Sequence, residues 1–378
     1  MENEVSVSDL SVINTSDFMN PMVTQIWSNG RHQVRCAKVI YETPDVCTFT
    51  FSMNQPVLFF FKPGQFVTLE LEIDGERVMR SYTISSSPSI PYSFSITVKR
   101  VPGGLVSNWL HDNLRSGDSI AVHGPVGDFN CLDHPAEKVL FLSGGVGITP
   151  VMSMARWWFD TDSPVDMVFA HSARTPRDII YARELEYMST RVENFKLHTI
   201  CERTEIGQAW DGYRGLLNIN MLKLVAEDFM EREIFCCGPA PYMANVRDML
   251  IAEGYDMSHY HEESFFATPK EDVIAAVKNA DLAELEESQP KQFVMVSFPE
   301  EGASADVAIG SNLNEAAAEA GIIIPKACGV GVCGACRVKV LGGDHEMVHN
   351  GGISEEEILE GYVLSCCTAV QGAMEIDY

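Results

Sequence analysis

Basic residues are scarce in this 378-residue chain: 27 lysines and arginines stand against 53 aspartates and glutamates, leaving a formal net charge of −26. Such a surface repels polyphosphates and anionic lipid, which argues against nucleic acid or a membrane as a partner and leaves a basic protein face as the complementary one. Long apolar runs are missing too. No segment reaches the roughly eighteen consecutive apolar residues of a membrane span, and the opening Met1-Glu-Asn-Glu-Val has neither the basic start nor the apolar stretch of a secretory signal. The expected address is the cytoplasm. Thiols stay reduced there, so the eleven cysteines are not a disulfide framework and their spacing has to be read for metal. Compositional bias is absent as well: 46% hydrophobic and 21% charged residues are near globular averages, which excludes extended disorder and fibrous architecture.

The length calls for more than one hydrophobic core, and three domains are expected. Residues 1–30 read as a polar, irregular N-terminal extension. From 31 to 135, the segments Val34–Tyr41, Val46–Met53, Phe66–Ile73, Tyr92–Arg100 and Ser119–His123 carry β-branched or aromatic residues between turn signals such as Lys62-Pro-Gly and Pro102-Gly-Gly, the pattern of a small antiparallel β-barrel. The pattern changes at 136–266. An apolar strand at Val139–Leu142 runs into a glycine-rich turn and a helix, and further strands follow at Val165–His171 and Glu233–Cys237, the last leading to a helix near Tyr242–Glu253. This alternation predicts a doubly wound α/β domain, whose ligands collect at the strand C-termini. Residues 267–290, with six acids against two lysines, read as a linker, and 291–378, opening on a strand at Gln292–Phe298, form a last α+β unit.

That last unit holds the most specific signal, Cys328-x4-Cys333-x2-Cys336 followed after twenty-nine residues by Cys366. Four thiolates so spaced match a plant-type [2Fe–2S] site, and Gly329, Gly331, Gly334 and Ala335 let backbone N–H groups approach the cluster sulfurs. Zinc is the alternative occupant, but zinc modules usually pair two C-x2-C knuckles and this chain has one. Cys367 competes with Cys366 for the fourth position. The remaining cysteines, Cys36, Cys47, Cys131, Cys201 and Cys236, have no paired spacing and read as small buried hydrophobes.

Three further motifs bear on cofactors. Arg80-Ser81-Tyr82-Thr83, read as lying near the start of a strand, offers a cation, an aromatic ring and a hydroxyl, with Gly103-Gly104-x-Val106-Ser107 and Gly124-Pro125-x-Gly127-x-Phe129 downstream. Ser143-Gly144-Gly145-Val146-Gly147-Ile148-Thr149-Pro150 joins a strand to a helix, where a dinucleotide pyrophosphate can approach the backbone, and Cys237-Gly238-Pro239 follows a later strand. His261-Glu262-Glu263-Ser264-Phe265 ends the α/β region.

Together these motifs resemble the ferredoxin–NAD(P)H reductase superfamily. The resemblance implies that Arg80, Ser81, Tyr82 and Thr83, with Gly103, Gly104, Val106 and Ser107, hold a flavin, FAD rather than FMN. It implies that Gly144, Gly145, Gly147, Thr149, Arg174, Gly238 and Pro239 hold the nicotinamide dinucleotide. It also places Thr83, Cys237, Glu263 and Phe265 at the reacting rings, Cys237 beside the nicotinamide and Phe265 stacked on the isoalloxazine. Approached through Gly361-Tyr-Val-Leu-Ser, Cys366 resembles the final ligand of plant-type ferredoxins, which favours it over Cys367.

The order flavin domain, nucleotide domain, ferredoxin is similar to reductase components of multicomponent oxygenases. Phe59-Phe-Phe-Lys-Pro-Gly-Gln, Arg80-Ser-Tyr-Thr-Ile-Ser-Ser-Ser-Pro and His259-Tyr-His-Glu-Glu-Ser-Phe look most like reductases of Rieske monooxygenases that demethylate glycine betaine and related quaternary amines. The implied activity is hydride uptake from NADH by FAD and single-electron export through the cluster to a Rieske-type terminal oxygenase. A reductase serving another redox protein, such as a hybrid-cluster protein, shares this layout, and a non-enzymatic iron–sulfur sensor is the more distant alternative. NADPH stays open beside NADH, because Arg174 and Arg177 could hold a 2′-phosphate and no well-placed acid marks the ribose site. Thirteen acids against four bases in residues 291–378 make the ferredoxin domain the expected docking face, with Glu355-Glu356-Glu357 as its most concentrated edge.

Overall fold

Extended segments rich in β-branched and aromatic residues build the first unit. They are β1 (Gln25–Ile26), β2 (Arg31–Thr43), β3 (Val46–Ser52), β4 (Val57–Leu58), β5 (Phe66–Ile73), β6 (Glu76–Thr83), β7 (Ser93–Lys99) and β8 (Ser119–Val126), with helix α1 (Leu105–Asn113) between the last two. The structure, a computed structural model, describes residues 25–27, 31–53, 57–265, 293–324, 331, 334, 336–349, 353 and 355–378. Most of the expected N-terminal extension and the expected linker 267–290 lie outside these residues.

Six strands run antiparallel in the order β6-β5-β8-β2-β3-β7. An antiparallel bridge from Ile84 to Ile96 joins the two ends, so the sheet closes into the expected barrel around Phe49, Phe51, Leu69, Phe94 and Ile96. Two expectations are corrected. The end of the extension is not irregular: Gln25–Ile26 pairs in parallel with Val57–Leu58, and buried Trp27 donates from Nε1 to the Gly124 carbonyl at 2.7 Å. Arg80–Thr83 occupies the last four positions of β6, not its start, because the turn that precedes β6 lies at Asp74-Gly75, both with positive φ.

The second unit contains β9 (Lys138–Gly144), β10 (Asp166–Ala173), β11 (Phe195–Cys201), β12 (Tyr213–Arg214), β13 (Glu233–Cys237) and β14 (Tyr260–Glu263). All are parallel, in the order β12-β11-β10-β9-β13-β14. Both faces of the sheet are covered, as a parallel sheet requires. Phe141, Phe169 and Phe235 pack with α2 (Ile148–Asp160) and α3 (Ala182–Arg191) on one side, while Leu140, Val168 and Ile234 pack with α4 (Ile219–Val225) and α5 (Ala240–Ala252) on the other. The chain first moves outward from β9 and then returns to its other side with β13, so the strand order reverses between β9 and β13. Ligands of doubly wound sheets bind at that switch point.

The third unit has β15 (Phe293–Phe298), β16 (Ala303–Ala308), α6 (Leu313–Glu319), β17 (Arg337–Gly342), β18 (His345–Met347), α7 (Glu355–Leu359), β19 (Tyr362–Leu364), β20 (Thr368–Val370) and β21 (Met374–Asp377). Its main sheet is mixed, in the order β16-β15-β21-β17-β19, and α6 covers Val296, Phe298 and Ile376 with Leu313, Ala316 and Ala317. This is the α+β unit expected of the C-terminal region.

Barrel and parallel sheet are locked by polar contacts from α2 and the turn before α3. Arg156 donates to the Ser85 carbonyl, forms a two-pronged ion pair with Glu184 at 2.7 and 2.8 Å, and stacks over the Tyr181 ring at 4.5 Å. Tyr181, held at φ 56, bonds through its hydroxyl to Thr97, while Ser153 Oγ donates to the Ser86 carbonyl at 2.7 Å. The Arg156 side chain is 16% exposed, so its loss would leave several polar groups without partners in a site largely closed to water. Arg156→Ala is expected to destabilise the protein by about 2–4 kcal/mol, the lower part of the range for breaking a buried pair because Glu184 is only half-buried. Lys223→Ala, at the surface pair with Glu253, serves as the control and should leave the midpoint of denaturant unfolding almost unchanged. Equal, small effects from both would mean that the Arg156 lock carries no weight.

Candidate functional site

A cleft of about 1390 Å³ lies between the barrel and the C-terminal ends of the parallel strands. From the barrel it is lined by Arg80, Ser81, Tyr82 and Thr83 of β6 and by Gly104, Val106 and Ser107 at the start of α1. The sheet contributes Gly144, Gly145, Gly147 and Thr149 after β9, Arg174 after β10, Gly238 and Pro239 after β13, and Glu263 and Phe265 at and beyond the end of β14. The motif residues expected at flavin and nicotinamide therefore converge on one site, with two exceptions. Gly103 and Cys237 do not line the cleft. Gly103 sits within the turn that Gly104 N closes onto the Val101 carbonyl, at φ 73, and Cys237 is buried behind the glycine loop, where burial pushes its thiol well above its ordinary pKa and keeps it neutral.

Three helices, α1, α2 and α5, begin at the cleft, at Gly104, Gly147 and Pro239, and none has a side-chain cap or an acid in its first turn. The other helices of the described residues differ. Asn218 caps α4, Asn312 caps α6, Glu184 sits in the first turn of α3, and α7 starts with Glu355. The positive ends of three helix dipoles thus face one cavity, an arrangement suited to the phosphates of two dinucleotides. Arg80 adds an exposed guanidinium with no hydrogen bond or ion pair among the described residues, whereas Arg77 on the same strand pairs with Glu70 at 2.9 Å. Strand β6 bonds β5 on one side along its length, which leaves its other edge open to the cleft.

Other groups are already engaged. The Ser81 hydroxyl bonds Thr68, its partner on the neighbouring strand β5, at 2.8 Å, and Ser107 Oγ accepts from Val101 N at 3.2 Å, which leaves the Ser107 hydroxyl hydrogen free to donate. Thr149 donates to the Val146 carbonyl at 3.1 Å, so its role is to close the turn. Arg174 lies 3.6 Å from Asp45 of the barrel. The expectation that no acid marks a ribose site is corrected: Glu202, directly after β11, lines the cleft near Arg174, as does Asp178. Asp178 is tied to Thr175 in a capping box, and Glu202 pairs with Arg203 at 3.3 Å, so both acids already have a partner within the protein. Position immediately after a parallel strand was the available signal for Glu202.

Close backbone approach explains the glycine loop. A Cβ on Gly147 would lie 2.3 Å from the Cys237 carbonyl oxygen, so only glycine lets the turn after β9 close against the end of β13. Thr83 and Glu263 meet from opposite sides of the cleft, Thr83 Oγ1 donating to Glu263 Oε2 at 3.4 Å. Protein atoms ring the Glu263 carboxyl although it faces the cavity, and burial lifts its pKa to about 8. Burial likewise raises the Tyr82 phenol, which packs against the barrel core.

In the third unit, Cys336 immediately precedes β17 and Cys366 lies in a short turn after β19; both are buried. Ser365 N donates to the Cys336 carbonyl at 2.9 Å, which binds the two segments together. Cys328 and Cys333 lie outside the described residues. Gly331 has φ 71, and a Cβ there would fall 2.6 Å from Cys367 Sγ, so the loop can pass this thiol only as glycine. The donor chemistry and the glycine backbone fit a [2Fe–2S] cluster. Of the expected acidic edge, Glu357 turns to Arg337 at 2.8 Å, so it is committed within the domain.

Three family models match the chain: oxidoreductase FAD-binding domain over residues 34–131, oxidoreductase NAD-binding domain over 141–248, and 2Fe-2S iron-sulfur cluster binding domain over 298–371. The chain is 63% identical over 366 residues to a glycine betaine monooxygenase reductase subunit of Pseudomonas aeruginosa, covering 96% of this chain and all of that one. It is 41% identical to the stachydrine N-demethylase reductase subunit Stc4 of Rhizobium meliloti, over 90% of this chain and 95% of that one. The solved structure of phthalate dioxygenase reductase superposes with a TM-score of 0.57 at 23% identity, over 92% of this chain and 98% of that one, and so shares the fold of all three units. Among the described residues no helix is long and apolar enough to cross a membrane.

The raised pKa of Glu263 has a consequence for stability. Its ordinary value of 4.5 applies to the unfolded chain, so between pH 4.5 and about 8 the folded protein holds a proton that the unfolded chain has released. Stability from this group is complete below pH 4.5 and is lost as pH rises through about 8. Glu263→Gln removes the dependence. The unfolding free energy of the variant relative to the parent should therefore rise between pH 5 and pH 8, by no more than about 4 kcal/mol. A difference that stays constant with pH would show that the carboxyl is solvated.

Proposed function

The chain belongs to the ferredoxin–NAD(P)H reductase superfamily in the form that carries a C-terminal [2Fe–2S] domain, and from that premise we propose that it is the reductase of a Rieske-type oxygenase that demethylates glycine betaine. It is an NAD(P)H-dependent flavin and iron–sulfur oxidoreductase, and its cofactors are FAD, a nicotinamide dinucleotide and the cluster. The observation that carries the reading is the single cleft that gathers the motifs of both dinucleotide-binding domains with three uncapped helix N-termini.

When bound, FAD accepts two electrons as a hydride and the cluster passes them on singly, chemistry that resides in the cofactors. The side chains bind, orient and exclude water. Arg80 and the first N–H groups of α1 would hold the flavin pyrophosphate, and Tyr82 and Phe265 would supply the aromatic walls for the isoalloxazine. Gly144, Gly145 and Gly147 admit the second pyrophosphate to the N-terminus of α2. Glu263, its pKa raised to about 8 by burial, accepts from Thr83 at the edge where the flavin ring would lie. Cys237 would stand behind the floor of the nicotinamide site, its thiol buried and its backbone carbonyl the atom that holds position 147 to glycine. Cys328, Cys333, Cys336 and Cys366 are the proposed cluster ligands. Residues 31–135, 136–266 and 291–378 are the proposed domains, joined after the second by the 267–290 linker, and the protein works in the cytoplasm.

Glycine betaine as the amine is supported by relatives matched over nearly their whole length. The amine binds the partner, so no pocket for it is needed here. A basic oxygenase surface meets the acidic ferredoxin domain, with Glu357 excluded as a free contact by its pairing to Arg337. In a coupled assay with the oxygenase, NADH consumption should match formaldehyde release one for one with glycine betaine, with far slower turnover for other methylated amines. Turnover with another amine but none with glycine betaine would refute the assigned substrate and leave the reductase chemistry standing.

A further inference from the structure

Beside the cleft lies a cluster of side chains that the redox chemistry does not use. His134 sits on the loop that joins the barrel to β9, Glu233 is the first residue of β13, and His261 is the second residue of the neighbouring strand β14. Parallel pairing of Phe235 with His261 brings the start of β13 beside β14, and one ligand atom from each of His134, Glu233 and His261 lies within 4.8 Å of the others. All three are half-buried. We propose that His134, Glu233 and His261 form a binding site for a divalent metal ion of the zinc class.

Two imidazoles and one carboxylate form a donor set that suits zinc and its borderline neighbours; calcium and magnesium prefer oxygen alone. Ligand atoms around a tetrahedral zinc stand roughly 3.3 Å apart, given bonds of about 2.0–2.1 Å, so the three groups need close by only about an ångström or so. The carboxylate is already oriented. Glu233 Oε1 accepts from His261 Nε2 at 2.5 Å, and Oε2 accepts from His259 Nδ1 at 2.9 Å. An incoming ion displaces the proton from His261 Nε2, and His259 stays as the outer partner that holds the carboxylate, the role such partners take around metals. The His134 ring lies over His261, with centroids 3.7 Å apart and the ring planes tilted by 30°, which brings the two imidazoles to one place.

Three protein ligands leave a fourth position for water. Both histidines line the cleft, which gives the ion a way in. Once bound, it ties the loop between the two domains to β13 and to β14, the strand that continues through Glu263 to Phe265. The cluster loop of the ferredoxin domain, with its thiolates, belongs to a separate unit.

The test uses the chelator-washed holoprotein, with FAD and cluster in place, titrated with zinc chloride by calorimetry. One zinc per chain should bind in addition to the cluster iron. His134→Gln and Glu233→Gln should each weaken binding at least roughly tenfold, the scale on which even outer partners of a metal matter, while His134→Gln keeps the FAD content and melting temperature of the parent. X-ray absorption at the zinc edge should show nitrogen and oxygen neighbours at about 2.0–2.1 Å. Absence of stoichiometric binding, or equal affinity in His134→Gln, overturns the proposal. So does a sulfur shell at about 2.3 Å, which would place the zinc on cysteines.

Discussion

The Arg156 lock between barrel and parallel sheet is the constraint on which the site depends. Neither domain encloses the cleft alone: β6 and the start of α1 supply one wall, and the loops after β9, β10, β13 and β14 supply the other. A displacement of either wall by an ångström or two would part Thr83 from Glu263, whose contact is already long at 3.4 Å. The lock is polar, and it is built from groups that satisfy one another: Arg156 holds the Ser85 carbonyl and Glu184, Tyr181 reaches Thr97, and Thr97 continues through Ser85 and Thr48 to Glu42. Networks of this kind fix geometry more sharply than apolar contact, because each unmade bond in a site closed to water carries a desolvation cost.

Electrostatics then divides the molecule in two. The chain as a whole is strongly acidic, yet the cleft is lined by three helix N-termini and an unpaired Arg80. The positive ends of those helices and Arg80 offer anionic dinucleotides local partners within a chain whose net charge repels them. Within the cleft the same burial acts differently on different groups. It raises the pKa of Glu263 to about 8 and holds the Cys237 thiol well above its ordinary pKa.

Much of this was legible in the sequence. Barrel and parallel sheet followed from strand periodicity, and the glycine turn after β9 was recognisable because close backbone approach demands glycine whatever surrounds it. Motifs that act through local backbone geometry were readable, and the iron–sulfur domain was readable from the cysteine spacing that is itself the chemistry. Features assembled from distant segments were not. The Arg156 lock joins residues 71 positions apart, and the His134, Glu233 and His261 cluster draws on a loop and two strands with no shared pattern. Glu202 escaped notice because an acid after a strand is ordinary until the fold brings it to the cleft beside Arg174. The placement of Arg80–Thr83 at the end of β6 was missed for a related reason: strand direction around a barrel is set by closure, which no short window contains.

The account claims that electrons enter only through the flavin in this cleft and leave only through the cluster. Anaerobic rapid mixing of the holoprotein with NADH, with flavin absorbance and the iron–sulfur EPR signal followed on quenched samples, tests that order directly. Flavin bleaching should come first and cluster reduction second, and protein stripped of FAD should leave its cluster oxidised. Cluster reduction at the same rate without FAD would contradict the account.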